Sequence, residues 1–411
     1  MTTEQTVLGD RPAAAGKVRV ALVFGGVSSE HGVSCLTAAG VSSALDPDRY
    51  EVVGVGITKT GRWVLVDDDT LRDLVVRDGV LPELSEHAPD AVLMTHGPGS
   101  RLAVRDDVSY GGVDRHSALS WLGPVDVALS LLHGPFGEDG TIQGLFEMMG
   151  TRYVGAGVLA SAVGMDKHYM KLVLSASGLP VGPFVTITAA DWKRDRAACL
   201  DAVATLRHPV FVKPARGGSS LGITKVDAAD PGAGSAGSAG SANQAGSTEA
   251  LEAAIAYAQG YDPKVVVEEG FVGARELECG VLSDADGGRP VASEVAEIRV
   301  HSASGFYDFE AKYLPEEQVD LDVPALVDPS VADAVRELAV RTFEAVGCEG
   351  LARVDVFLTH DDRLVVNEIN TMPGFTAHSM FPRMWAASGV DYPDLVDRLI
   401  TLALQRPVGL R

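Results

Sequence analysis

Four cysteines in 411 residues (Cys35, Cys199, Cys279 and Cys348) lie far apart, with no C-x-x-C pair and no partner histidine at zinc-finger distance. That scatter argues against a disulfide framework or a cysteine metal knuckle and fits a reducing compartment. Positive charge is also scarce: 34 Lys and Arg stand against 56 Asp and Glu, a formal net charge of −22. A surface of that sign repels phosphate backbones and anionic lipid, which argues against nucleic acid or a membrane as partner. No stretch approaches the roughly 20 uncharged apolar residues of a membrane span. Residues 1–17 carry Glu4, Asp10 and Arg11 among Ala and Thr without the apolar core of a signal peptide, so a disordered extension is expected there.

What is present is apolar content, 46% of residues, in a chain too long for one compact core, which implies two or three domains. Val18 to Phe24 is a β-branched run ending in Gly25-Gly26, and Val33 to Leu45 reads as a helix; this is an opening α/β unit. Strands are expected at Glu51 to Ile57 and Val125 to Leu132, in a small parallel sheet, whereas Asp78 to Ser117 shows no readable pattern. Ile142, Leu145, Phe146 and Met149 recur at helical spacing from Thr141 to Gly150, which makes the preceding LLHGPFGEDG a glycine-rich connection at a strand's carboxyl end.

The middle third predicts a helix at Asp166 to Ser177, a helix at Leu251 to Gln259, and strands at Pro180 to Ile187, Pro209 to Lys213, Leu221 to Val226 and Lys264 to Glu268, alternating as in an antiparallel sheet. From Ala228 to Ser247 the composition falls to Ala, Gly and Ser, too little apolar surface to offset ordering entropy, so a disordered insertion within one small domain is expected rather than an interdomain linker. The last third reads as α+β, with strands at Glu276 to Leu282, Val291 to Arg299, Leu351 to Leu358 and Leu364 to Asn370, and helices at Val331 to Gly347 and Pro393 to Leu404.

The strongest chemical signal is the strand pair LARVDVFL and RLVVNEIN. Residues two apart share a strand face, so Arg353 goes with Asp355 and Glu368 with Asn370. A hairpin pairing Leu358 with Arg363 would set Arg353 opposite Glu368 and put all four on one side. Any one of them alone would be an ordinary solvated ion-pairing residue. Together they offer magnesium its hard oxygen ligands, Asp355, Glu368 and Asn370, with nucleotide phosphates supplying the rest. Arg353 would face charge developing on a transferring phosphoryl group. Phosphate binding also needs cations and a pliant backbone. PVFVKPARGGSSLGITKV supplies Lys213 at a strand end, followed by Arg216, Gly217, Gly218, Ser219 and Ser220, although without the order of a Walker loop. Lys167, at a helix start, is a second phosphate partner, and KVVVEE with Gly270, Phe271 and Glu276 resembles a slot for adenine and ribose.

In order and spacing, FGGVSSEHGVS, LHGPFGEDGTIQG, GMDK, FVKPARGGSSLG, YDFEAKY, RVDVF and NEINTMPGFTAHSM make the sequence resemble the D-alanine:D-alanine ligases of the ATP-grasp superfamily, from Val18 through roughly Leu404. The resemblance implies an N-terminal α/β substrate-binding domain (18–155), a central ATP-grasp subdomain (156–268) and a C-terminal catalytic subdomain (269–411). It also implies ATP, two Mg²⁺ (or Mn²⁺) ions, a cytoplasmic location and a homodimer. Lys167 and Lys213 would contact phosphates, Glu268 and the backbone of Glu269 to Phe271 would hold adenine, and Glu276 the ribose. Asp355, Glu368 and Asn370 would bind the metal. Glu30 would anchor the first D-alanine's ammonium, with His133 and Met380 bordering the substrates. Arg353 and the Gly374 N–H would stabilise the oxyanion, and Lys312 and Ser379 would hold the second D-alanine's carboxylate.

The resemblance further makes Glu30, Ser219 and Tyr313 a hydrogen-bonded trio that shuts the loops, with His301 to Asp320 as the closing segment, and Tyr313 favours D-alanine over D-lactate as second substrate. Three features depart from the family pattern: the low-complexity insertion, Glu269 where lysine or glutamine is common, and Met372 with Met380. A D-alanine:D-lactate ligase and a catalytically silent nucleotide sensor are the alternatives.

Overall fold

The computed structural model describes residues 16–95, 99–105, 119–218, 221–228, 241–300, 319–407 and 409. β1 (Val18–Gly25) runs through the first core with Leu22 and Phe24 fully buried, and α1 (His31–Ala44) returns the chain to β2 (Tyr50–Ile57), parallel to β1. β3 (Trp63–Val66) adds an antiparallel edge, followed by the short α2 (Asp68–Arg72). The glycine turn after β1 is obligatory: Gly25 and Gly26 have φ of 90° and 96°, and a Cβ on Gly25 would lie 2.3 Å from the Ile57 carbonyl. His31 pins this turn, its Nδ1 facing the Gly26 carbonyl at 2.8 Å while its Nε2 accepts from the Leu84 N–H at 3.3 Å.

The stretch without a readable pattern contributes β4 (Ala91–Thr95) and β5 (Ser100–Arg105), which join β6 (Leu119–Val125) in a three-stranded antiparallel sheet. The strand expected at Val125 to Leu132 is therefore divided: β6 ends at Val125 and β7 (Val127–Ser130) re-enters the first sheet beside β1, giving the order β3-β2-β1-β7. Asp126 marks the break, its carboxylate accepting the Arg19 N–H at 2.7 Å. α3 (Thr141–Met148), α4 (Val158–Met165) and α5 (Lys167–Ala176) follow, α5 capped by the Asp166 carboxylate on the N–H groups of His168 and Tyr169.

β8 (Phe184–Thr188), α6 (Ala189–Arg194), α7 (Arg196–Val203), β9 (Val210–Pro214), β10 (Thr224–Val226), α8 (Ser241–Gln259) and β11 (Lys264–Glu269) form the middle unit, an antiparallel sheet in the order β10-β9-β11-β8. The sheet has the antiparallel pairing expected from its alternation, but the insertion does not run disordered to Ser247. Helical backbone begins at Ser241, continuous with a segment whose Leu251, Ala254, Ile255 and Ala258 are buried. The last unit is a five-stranded antiparallel sheet of β12 (Arg275–Leu282), β13 (Val291–Val300), β14 (Val319–Asp322), β15 (Leu351–Leu358) and β16 (Leu364–Asn370), ordered β14-β13-β12-β15-β16. α9 (Pro329–Ala345) covers one face of it.

α10 (Met380–Ala387) and α11 (Tyr392–Gln405) carry Phe381, Trp385, Leu395 and Leu399 into the same apolar cluster as Leu22 and Phe24, so the chain's end is packed against its beginning. Among the described residues no helix is long and apolar enough to cross a membrane.

Candidate active site

Register decides what β15 and β16 present. Leu358 pairs with Leu364 rather than Arg363, and Val356 with Val366; continued unbroken, that register would put Glu368 opposite buried Val354 and turn it into the core. A bulge between Asp355 and Val356 shifts the phase by one residue, so Asp355 faces Glu368 and Arg353 faces Asn370. The expected opposition of Arg353 and Glu368 is thus corrected, yet the four polar side chains do share a face. Opposite Asp355 on the other neighbouring strand stands Glu278 of β12.

Arg353 forks onto Asp355, with Nε–Oδ1 and Nη2–Oδ2 both 2.7 Å, and its Nε also lies 3.2 Å from Glu278. Burial opposes the guanidinium's charge, but Asp355 and Glu278 outweigh it and hold the pKa well above the ordinary arginine value. Asn370 Nδ2 donates to Asp355 at 3.1 Å, which ties its amide to the carboxylate face. Among the described residues no group of three His, Cys, Asp or Glu is placed to hold a metal alone. Two carboxylates and one amide oxygen fit a magnesium ion whose remaining ligands come from phosphates and water.

A second charged layer sits on β9 and β11. Lys213 Nζ donates to Glu268 at 3.1 Å, and Lys171 of α5, 1% exposed, lies 3.5 Å from the other oxygen of the same carboxylate. Burial lowers the Lys171 pKa; for Lys213 burial is outweighed by Glu268, Glu368 and Glu276, which raise it. Lys167 Nζ donates to the Gly217 carbonyl at 2.9 Å and stands 3.6 Å from Glu368, joining the glycine loop to the carboxylate face. Glu269 is taken up by Arg207, through the backbone N–H at 3.0 Å and the guanidinium at 2.9 Å, so its carboxylate is engaged away from a base. The Glu269 and Gly270 N–H groups are likewise spent on Pro183 and Pro209.

The third wall comes from the N-terminal unit. Glu30 occupies the N-cap position of α1 but makes no side-chain capping bond there. Its carboxylate reaches outward, within 2.6 Å of where a Cβ on Gly134 would lie and 3.4 Å of one on Gly218. His133, 4% exposed, has Nδ1 against the Met372 carbonyl at 3.1 Å and, among the described residues, no hydrogen-bond partner at its buried Nε2. Burial lowers its pKa, so the ring is neutral with Nδ1–H donating and Nε2 left as an acceptor. Glu138 accepts the Gly134 N–H at 2.7 Å and the Met372 N–H at 3.2 Å, and burial together with Glu30 pushes its carboxyl up to about 8.

These walls enclose a cavity of about 780 Å³. Glu30, His133, Lys167, Lys213, Glu268, Glu269, Gly270, Phe271, Glu276, Arg353, Asp355, Glu368, Asn370, Gly374, Ser379 and Met380 all line it. Ser219, Ser220, Lys312 and Tyr313 lie outside the described residues, as does most of the expected closing segment. Sequence reasoning missed Glu138, Lys171 and Glu278. Glu138 stands in the quoted LHGPFGEDG run and was discoverable there; Lys171 falls one helical turn after Lys167, on the same side of α5.

A glycine-loop sheet carrying lysines and a second sheet carrying acids, closing on one cleft, define the nucleotide-clamping arrangement of ATP-grasp enzymes. Residues 19–156 match the D-ala D-ala ligase N-terminus family and residues 173–401 the D-ala D-ala ligase C-terminus family, and the chain belongs to the D-alanine–D-alanine ligase family. It is 54% identical over 404 residues to a D-alanine--D-alanine ligase of Kineococcus radiotolerans, covering 96% of this chain and 99% of that one. Among solved structures, the D-alanine-D-alanine ligase of Coxiella burnetii superposes with TM-score 0.73 at 30% identity, over 95% of each chain. The VanG D-Ala:D-Ser ligase of Enterococcus faecalis does so with TM-score 0.73 at 30% identity, over 94% of this chain and 99% of that one.

Proposed function

We infer that this protein is an ATP-dependent, ADP-forming ligase that joins two molecules of D-alanine into D-alanyl-D-alanine for peptidoglycan synthesis, working as a cytoplasmic homodimer. The observation that carries the reading is the convergence of three differently charged walls on one cavity: lysines for phosphates, acids for a metal, and Glu30 with His133 for an amino acid. The γ-phosphoryl group of ATP passes to the carboxylate of the first D-alanine, giving an acyl phosphate and ADP. The amine of the second D-alanine then attacks the acyl carbon, loses a proton, and the tetrahedral intermediate expels phosphate.

In this reading Lys167 and Lys213 hold phosphates, Glu268 and the strand end to Phe271 hold adenine, and Glu276 holds ribose. Asp355, Glu368 and Asn370 would hold two magnesium ions, which neutralise phosphate charge. Glu30 pairs with the first substrate's ammonium, and His133 Nε2 accepts from the same group. Arg353 and the Gly374 N–H face the oxyanion, and Ser379 with Lys312 holds the second carboxylate. Glu30, Ser219 and Tyr313 would shut the loops over the acyl phosphate and keep water from hydrolysing it.

ADP and phosphate release with magnesium, measured with D-alanine, L-alanine and D-alanine plus D-lactate, tests the reading when products are weighed by mass spectrometry. D-Alanine alone should give the dipeptide. A condensed product formed only with D-lactate would make this a depsipeptide ligase, and silence with every substrate would make it a nucleotide sensor.

Glu138 gives the reading a pH signature. With its carboxyl up to about 8, it holds a proton at pH 7 in the empty site. An ammonium arriving beside Glu30 offsets the carboxylate repulsion and lowers the Glu138 pKa, so D-alanine binding at pH 7 should release a proton. Calorimetric heats of binding should therefore depend on the buffer's ionisation enthalpy; identical heats in phosphate and Tris would contradict this.

A further inference from the structure

Both backbone polar groups of one residue just after β16 are held by side chains from far earlier in the chain, in the N-terminal unit. The Met372 N–H donates to Glu138 at 3.2 Å, and the Met372 carbonyl accepts from His133 Nδ1 at 3.1 Å. Glu138 is itself fixed by the Gly134 N–H at 2.7 Å, and the His133 backbone by Ser28, whose hydroxyl donates to the His133 carbonyl at 3.0 Å. The bracket is thus braced at both arms, and it closes on a residue that is 8% exposed.

Two residues further on stands Gly374. Between the bracketed peptide and the Gly374 N–H lies only Pro373, whose ring locks φ near −65°. With the Met372 carbonyl fixed and Pro373 φ fixed, the ψ of Pro373 is the one soft dihedral left to direct the Gly374 N–H. We propose that Glu138 is a positioning residue that, together with His133, brackets Met372 and thereby aims the Gly374 N–H at the oxyanion of the tetrahedral intermediate. The bracket makes the substrate-ammonium wall and the oxyanion donor parts of one hydrogen-bonded unit. An amino acid seated against Glu30 and His133 therefore meets a donor already oriented, and no reorganisation is needed as charge develops. This inference rests on the ligase reading and on the role given there to Gly374.

Glu138→Gln keeps the shape but replaces one accepting oxygen with an NH₂ group, so one of the two backbone donors loses its acceptor. Glu138→Asp keeps the carboxyl group and shortens the reach to Met372. With wild-type protein confirmed in parallel to make dipeptide, both variants should melt within a few degrees of it and show KM for ATP within about twofold. Turnover should fall about 10- to 100-fold, the range below complete loss of an oxyanion donor. Affinity for a tetrahedral phosphinate analogue of the dipeptide should fall by the same factor as turnover, whereas KM for the first D-alanine should change less. Turnover within threefold of wild type in a folded variant would overturn the proposal. So would a loss confined to KM for the first D-alanine, or analogue affinity unchanged while turnover falls. Failure of the wild-type protein to make dipeptide would instead remove the ligase reading itself.

Discussion

Arg353→Met should lower turnover by about 10²- to 10³-fold and leave ATP affinity within about twofold, because the guanidinium is placed for charge that exists only along the reaction path. Its surroundings make a second effect unavoidable. Glu278 and Asp355 stand opposite each other on β12 and β15, and Arg353 is the cation between them, hydrogen-bonded to Asp355 and 3.2 Å from Glu278. Removing it leaves two facing carboxylates in a site where all three side chains are at most 16% exposed. Loss of one member of a buried ionic group destabilises by about 3 kcal/mol. Thermal unfolding should show that loss, and adding Glu278→Gln should recover much of it by removing one of the opposed charges. Turnover should not recover, since the neutral amide introduced there cannot replace the missing cation. Turnover within tenfold of wild type in Arg353→Met would sink the oxyanion role, and recovery of turnover with Glu278→Gln would recast Arg353 as a purely structural counter-ion.

The reach of the sequence differs between the two halves of this site. The β15 and β16 face was legible because a strand has period two, and R-x-D and E-x-N each announce one face. The bulge that brings the two faces together was not, since a period-two reading of either strand assumes unbroken pairing. The residue skipped is Asn367 of β16, so buried Val366 and Ile369 stand three apart where alternation would set them two apart. β4 and β5 were hidden for a related reason. Their short strands lie in a stretch of mixed polarity, with Met94 and Thr95 exposed, so neither period is strong. The helical start of α8 was obscured because Ser, Asn and Gly outnumber Ala in residues 241–247, a composition whose propensity does not announce a helix. Glu138, Lys171 and Glu278 escaped because each acts through a partner distant in sequence: Met372, Glu268 and Arg353. Such pairings become visible only once the chain is folded.

Lys171 makes that last point testable. Glu268 is 6% exposed and lies between Lys171 and Lys213, and although burial works against its charge, the two ammoniums outweigh it and hold its pKa below the ordinary value. Lys213 faces the cavity, whereas Lys171 does not line it. When a triphosphate enters and draws Lys213 toward its oxygens, Lys171 is the cation that stays with Glu268. The carboxylate thus remains charged and in place to accept from the amino group of adenine. Lys171→Met should therefore raise KM for ATP about tenfold, equivalent to about 1.4 kcal/mol, with turnover at saturating ATP changed by less than threefold. Stability should fall by about 2 kcal/mol, less than for a carboxylate left wholly alone, because Lys213 still pairs with it in the free protein. Discrimination separates this role from simple packing. ITP lacks the amino group that Glu268 would read, so the preference for ATP over ITP should shrink in Lys171→Met and return with Lys171→Arg. A variant that loses stability but keeps the wild-type ratio of ATP to ITP would show that Lys171 neutralises Glu268 without placing it.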